Sequence, residues 1–159
     1  MINIIKNACT PAEAIELYNI HKKHGSQKLE SVYWAHPLLN RLAVTAAESL
    51  NVELKLKRPS YIMLEEKSTG HPAHIDGCSL DYKANHMPWC NYSASILVSD
   101  PSWCTGGIVR FSTQIIRPAD HYLNLYTWSS SPDTNETPEI HAVDPHNGCR
   151  VVCLFFFAV

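Results

Sequence analysis

Two periodicities divide the chain. Before residue 50 apolar positions recur at helical spacing: Ile15, Leu17 and Tyr18 form one set, and Leu38, Leu39, Leu42, Ala46 and Leu50 a second. Thr10-Pro11-Ala12-Glu13 is a good helix start. Thr10 can cap, Pro11 suits the first turn, and Glu13 stands where a capping box needs it. Gly25 is a plausible stop, and the second helix starts near Pro37. After Asn51 the pattern changes to period two. Val52, Leu54 and Leu56 alternate with Glu53, Lys55 and Lys57, which predicts a half-buried strand. Further short runs lie near residues 61–67, 72–76, 92–99, 108–112, 122–129, 139–143 and 150–158, separated by Pro, Gly, Ser, Asn and Asp. Seven or eight short strands at this spacing predict a sandwich or small barrel, with the helices on one outer face.

Composition bounds the rest. The 159 residues are 45% hydrophobic and 18% charged, a globular balance, and they make one domain of ordinary size. The formal net charge is -2, so no basic stripe points to nucleic acid. The longest apolar run, Val151 to Val159, is too short to span a bilayer and suits a strand buried on both faces. Met1–Thr10 has no basic segment followed by an apolar one, so the expected location is the cytoplasm. The even set of six cysteines (Cys9, Cys78, Cys90, Cys104, Cys149, Cys153) permits disulfides, but a cytoplasmic chain favours reduced thiols. Zinc on Cys149 and Cys153, or on His86 and Cys90, competes with plain burial of small thiols.

The candidate chemistry begins at His74-Ile75-Asp76. On a strand, residues two apart face one side, so both side chains can reach one ion. The triplet alone is a weak signal, since a surface histidine bonded to Asp76 reads the same way. A second histidine from another strand would complete two imidazoles and a carboxylate. That set leaves three positions open and suits a non-haem Fe(II) oxygenase. His141 stands at the end of a predicted strand, followed by a turn at Pro145 and Asn147-Gly148, and then by Arg150 opening the last strand. Read as a hairpin, this puts Arg150 near His141 but deeper in the fold. A guanidinium grips a carboxylate with two bonds, and burying one unpaired is costly. The alternative is a surface Arg at the strand end.

HxD, then a later His with Arg nine residues on, resembles the signature of the 2-oxoglutarate and Fe(II)-dependent oxygenases, from about Tyr61 to the C-terminus. The likeness is strongest to the prolyl hydroxylase branch. His74-Ile75-Asp76-Gly77-Cys78-Ser79-Leu80-Asp81 is similar to the HxDNCxLD stretch of leprecan-type prolyl 3-hydroxylases. Tyr92–Asp100 resembles their YSAxLYxND strand, and Gly106–Phe111 their GGxxxF. The resemblance implies a double-stranded β-helix, or jelly roll, over residues 51–159, with helical support from 1–50. It implies Fe(II) on His74, Asp76 and His141, and Arg150 on the distal carboxylate of 2-oxoglutarate. The implied reaction hydroxylates an unactivated C–H bond, releases succinate and CO2, and uses ascorbate as an accessory reductant. A peptidyl prolyl residue is the implied target, with another protein side chain or a small amino acid as the alternative.

Two departures qualify the likeness. Leu97 stands where many prolyl hydroxylases place a tyrosine that bonds 2-oxoglutarate, and the chain lacks long substrate-binding extensions. Strand parity puts Ser93, Ser95 and Leu97 on one face, and Arg150, Val152, Leu154 and Phe156 on another. Tyr61, Ser93, Ser95, Val143 and Phe156 are thus the further candidate co-substrate contacts, Tyr61 reading equally as a core aromatic. His71 is set aside because residues three apart face opposite sides of a strand. His121 and His146 read as loop and exposed-turn residues. Trp89, Trp103 and Trp128 are placed at the mouth, and residues 77–91 form a candidate lid. Nucleic-acid demethylases of this fold carry a second Arg six residues after the first, where this chain has Phe156. Halogenases need the Asp76 position open. A non-catalytic jelly-roll binding domain is the alternative of a different class.

Overall fold

The computed structural model describes residues 1–28, 36–51 and 61–158. The strand expected over 52–57 lies outside the described residues, as does the side chain of Tyr61. Helix α1 spans Pro11–His24 and α2 spans Pro37–Ser49. The predicted capping box forms at α1. The Glu13 N–H donates to Thr10 Oγ1 at 3.2 Å, and the Thr10 N–H donates to Glu13 Oε1 at 2.9 Å. Arg41 of α2 closes an ion pair on Glu13, tying the two helices together. The buried face of α1 runs through Ala14 and Leu17, whereas Ile15, expected on it, is exposed.

The fold is mostly β, in antiparallel sheets. The main sheet has six strands in the order β1 (Asn3–Ile5), β9 (Leu125–Ser129), β5 (Tyr92–Leu97), β12 (Val152–Phe157), β3 (Tyr61–Glu65) and β2 (Gln27–Lys28). A second sheet orders β4 (His71–His74), β10 (His141–Val143), β7 (Val109–Phe111) and β8 (Ile115–Ile116). A small ribbon pairs β6 (Cys104–Gly106) with β11 (His146–Gly148). Besides its helices, the N-terminal third adds an edge strand to each side of the main sheet, which its helical periodicity did not foretell. A short helix, α3 (Pro118–His121), precedes the run expected as strand over 122–129, of which Leu125–Ser129 forms the strand.

Alternation decides which face does what. Ala94 and Ile96 of β5, with Cys153, Phe155 and Phe157 of β12, meet Leu17, Leu39 and Leu42 of the two helices in the main core. The other face of the same strands carries Ser93, Ser95, Val152, Leu154 and Phe156. Helices therefore cover one face of the main sheet, as expected, and its other face and the second sheet together line one cavity.

The expected hairpin from His141 to Arg150 does not form. β10 pairs with β4 and β7, whereas β12 pairs with β5 and β3. The intervening residues form β11 and pair with β6, so the chain crosses from one sheet to the other. His146, expected in an exposed turn, is buried there. Neither of its ring nitrogens has a hydrogen-bond partner among the described residues. All six cysteines are free thiols. Cys153 is fully buried in the helix-side core, and burial pushes its thiol pKa far up. Among the described residues, no helix is long and apolar enough to cross a membrane.

Candidate metal centre

β4 ends at His74, and β10 sets His141 directly opposite it. Directly paired residues on neighbouring strands share a face, and the two rings stand with centroids 4.3 Å apart. Asp76 follows two residues after His74. Its Oδ1 lies 3.1 Å from His74 Nε2 and 3.5 Å from His141 Nε2. One ligand atom from each of the three lies within 4.8 Å of the others, and no other such group of three occurs among the described residues.

Each member is oriented from behind. Ser93 Oγ donates to Asp76 Oδ2 at 2.7 Å, and Ser130 Oγ lies 3.4 Å from the same oxygen. That leaves Oδ1 toward the imidazoles. His74 Nδ1 is 2.8 Å from the Pro72 carbonyl, and His141 Nδ1 is 3.3 Å from the Glu139 carbonyl. In neutral rings each Nδ1–H donates to its carbonyl, which leaves the Nε2 lone pairs free for a cation placed beside Asp76 Oδ1. Asn85 donates to the Asp76 carbonyl at 2.9 Å and anchors the loop 77–91 beside the cluster. Burial alone would raise the Asp76 pKa, but the two histidines outweigh it and hold the carboxyl well below its usual range. Burial alone would lower the His74 pKa, but the bond and charge of Asp76 outweigh that and raise it. Two imidazole nitrogens and one carboxylate oxygen, converging with open space in front, fit an octahedral divalent ion with free positions.

His71 is closer to the site than strand parity allows. The β4–β10 register slips between His141 and Val143, so Pro72 and Ala73 of β4 together oppose Ala142 of β10. This bulge brings His71 into the cavity lining with His74. Its Nε2 is 2.6 Å from Glu65 Oε1, and it stays outside the three-residue cluster.

The cluster opens on a cavity of about 590 Å3. Its walls include Met63, Leu154, Phe156, Val143 and Trp128, so the parity reading of β12 holds. Trp128 is buried against His141, at 5.2 Å between ring centroids. Trp103 instead packs on Tyr18 of α1, and Trp89 packs behind Phe156. Arg150 enters the cavity from just before β12 and is 5% exposed. Its Nε donates to the Gly107 carbonyl at 3.1 Å, and its backbone N–H to Glu66 Oε1 at 3.2 Å. Burial pushes its pKa down, yet its guanidinium has no ion-pair partner among the described residues. Gly107 has φ +67° and lies so close that a Cβ there would stand 2.5 Å from Arg150 Cδ.

Ser95 and His121 were the less legible residues. Ser95 lines the cavity, with Oγ 2.9 Å from His121 Nε2. His121, read from sequence as a loop residue, closes α3 and is 2% exposed. Burial, then the charge of Arg150, pushes its pKa down to about 3, so its ring is neutral. Pro118 was the only local sign that the segment it opens could turn helical and aim His121 inward.

No protein-family model and no curated protein matches the sequence. Solved structures do. The viral collagen prolyl hydroxylase of Paramecium Bursaria Chlorella virus-1 superposes with a TM-score of 0.69 at 15% identity, over 99% of this chain and 90% of that one. A prolyl-4-hydroxylase from Pseudomonas putida gives 0.60 at 12%, over 99% and 91%. The prolyl hydroxylase of Trichoplax adhaerens, solved in complex with a hypoxia inducible factor peptide, gives 0.58 at 10%, over 99% and 83%. The fold is thus the jelly roll of the 2-oxoglutarate Fe(II) oxygenases, built here from two principal sheets.

Proposed function

We propose that this chain is an Fe(II)- and 2-oxoglutarate-dependent oxygenase that hydroxylates an unactivated C–H bond, on a peptidyl prolyl residue. The observation that carries the reading is one cavity holding both His74, Asp76 and His141 within 4.8 Å and a buried Arg150 without an ion-pair partner among the described residues. In this reading His74 Nε2, Asp76 Oδ1 and His141 Nε2 hold the metal. Arg150 takes the distal carboxylate of 2-oxoglutarate through its planar fork. A bound iron supplies oxygen activation, coupled to decarboxylation of the co-substrate to succinate and CO2. The chain does the rest. Ser93 keeps the second carboxylate oxygen of Asp76 occupied, so Oδ1 stays directed at the metal position. Val143 and Phe156 give the cavity a dry wall that limits side reactions.

The prolyl assignment rests on the sequence likeness at residues 74–81, 92–100 and 106–111, and on the prolyl hydroxylases among the similar structures. A peptide fits a site whose cavity is bordered by the exposed loop residue Leu80. The test is incubation with Fe(II), ascorbate, 2-oxoglutarate and a library of proline-containing peptides, reading succinate and a 16 Da gain by mass spectrometry. Succinate that His141→Ala abolishes, with the gain on proline, is the expected result. Succinate formation with the gain on another residue overturns the prolyl assignment. Absence of both succinate and 2-oxoglutarate binding overturns the enzyme reading.

A further inference from the structure

We propose that His121, acting through the Ser95 hydroxyl, positions the distal carboxylate of the bound 2-oxo diacid together with Arg150. The inference rests on the function proposed above and assigns a role that Arg150 cannot complete alone.

Register supplies the geometry. On the cavity face of the main sheet Ser93 pairs with Phe156, Ser95 with Leu154, and Leu97 with Val152. Ser93 touches Asp76, so that row lies at the metal centre. Arg150 lies two residues beyond Val152, at the far end of the same face. Ser95 stands in between, about 7 Å along the strand from the Ser93 row. A ligand that spans the metal centre and Arg150 must pass Ser95. Leu97, next on that face, is fully buried and offers no polar atom.

Demand for a donor comes from the carboxylate. It has about four lone-pair sites, and a forked guanidinium satisfies two of them. Arg150 also has its Nε committed to the Gly107 carbonyl. The remaining lone pairs, buried in a largely apolar cavity, need another hydrogen bond. Ser95 Oγ and His121 Nε2 are 2.9 Å apart, and both residues line the cavity. The ring is neutral, so it can carry its single proton on Nε2 and donate to Ser95 Oγ. The serine O–H then turns into the cavity toward the anion. A negative charge at the Arg150 end selects this arrangement over its reverse, because only this one presents a donor. An imidazolium here would add a second buried cation, which burial and Arg150 both oppose. His121 is therefore a positioning residue. It rests edge-on against Tyr126, at 5.6 Å between ring centroids, which keeps its plane in place.

The experiment titrates Mn(II)-loaded protein, without oxygen, with 2-oxoglutarate and separately with 2-oxobutyrate, which keeps the keto-acid head but lacks the distal carboxylate. His121→Phe and Ser95→Ala should each weaken 2-oxoglutarate about tenfold or more, as expected for a bond to a charged group. Each should leave 2-oxobutyrate within about twofold. The double variant should lose little beyond either single one, because the two residues act as one unit. In turnover, KM for 2-oxoglutarate should rise with kcat held. Unchanged 2-oxoglutarate affinity in both variants, additive losses, or equal loss of both keto acids overturns the inference. If His121→Phe does not fold, Ser95→Ala, which removes one hydroxyl, decides alone. Wild-type protein that binds neither keto acid overturns the proposed function, and this inference with it. Wild-type binding of 2-oxoglutarate with unaffected variants overturns only this inference.

Discussion

Asp76 shows how much one residue must reconcile. It is a buried carboxylate, 9% exposed, beside two imidazoles and two serine hydroxyls. Each of its oxygens has its own set of partners, which is why burial does not neutralise it. Gly107 is as constrained for the opposite reason, having no room for a side chain. Gly107→Ala must move the Arg150 side chain and bear a left-handed φ. It should weaken 2-oxoglutarate binding about tenfold or more by calorimetry while Mn(II) affinity stays within about twofold. A parallel loss of metal binding would contradict the separate placement of the two sites. His121 gives a pH signature. Its folded-state pKa of about 3 lies below the ordinary 6.5. As pH falls below 6.5 the unfolded chain takes up a proton that the folded chain refuses. Stability is therefore lost progressively toward about pH 3, and is unaffected by this group above 6.5. Thermal melts should show His121→Phe with a shallower acid decline than the wild type over that window. Parallel curves would contradict a buried neutral ring.

Elements repeat the lesson at larger scale. The α1 capping box and the faces of β5 and β12 were readable, because both depend on spacing within one segment. The position of His71 was not readable, because parity assumes an even ladder and β4–β10 contains a bulge. The supposed hairpin also failed, because turn residues mark where a chain bends and not which strand it pairs with afterwards. Thr10→Ala should cost about 1 kcal/mol of stability in urea denaturation, the usual value of an N-cap. The same element has its own pH dependence. The Arg41 bond, with the Thr10 backbone, holds the Glu13 pKa at about 2, below the ordinary 4.5. Its contribution is present above 4.5 and is lost as pH falls toward 2. The stability gap between wild type and Glu13→Gln should therefore close across that range, and a constant gap would contradict the assignment.

For the whole molecule, the cavity depends on two sheets that meet only because the chain crosses between them. His74 and His141 come from one sheet; Ser95, Leu154 and Phe156 come from the other, with Arg150 just before its central strand β12. A metal held by residues on both β4 and β10 should bind the folded state alone. Mn(II) at 100 times its dissociation constant should add about 2.7 kcal/mol, or a melting shift of about 5–10 °C, which a chelator reverses and His141→Ala abolishes. No shift in the wild type would count against the metal assignment. By itself the sequence determined the amphipathic helices, the alternating faces of β5 and β12, and the pairing of His74 with Asp76 two residues on. All are local: the helices and strand faces follow from the backbone repeat, and Asp76, just past the end of β4, lies near His74 because only two positions separate them. Only the tertiary structure decided that His141 stands opposite His74, that Arg150 approaches from the other sheet, and that His121 turns inward onto Ser95. Those contacts join residues far apart in the chain, and a strand carries no local mark of the neighbour it will choose.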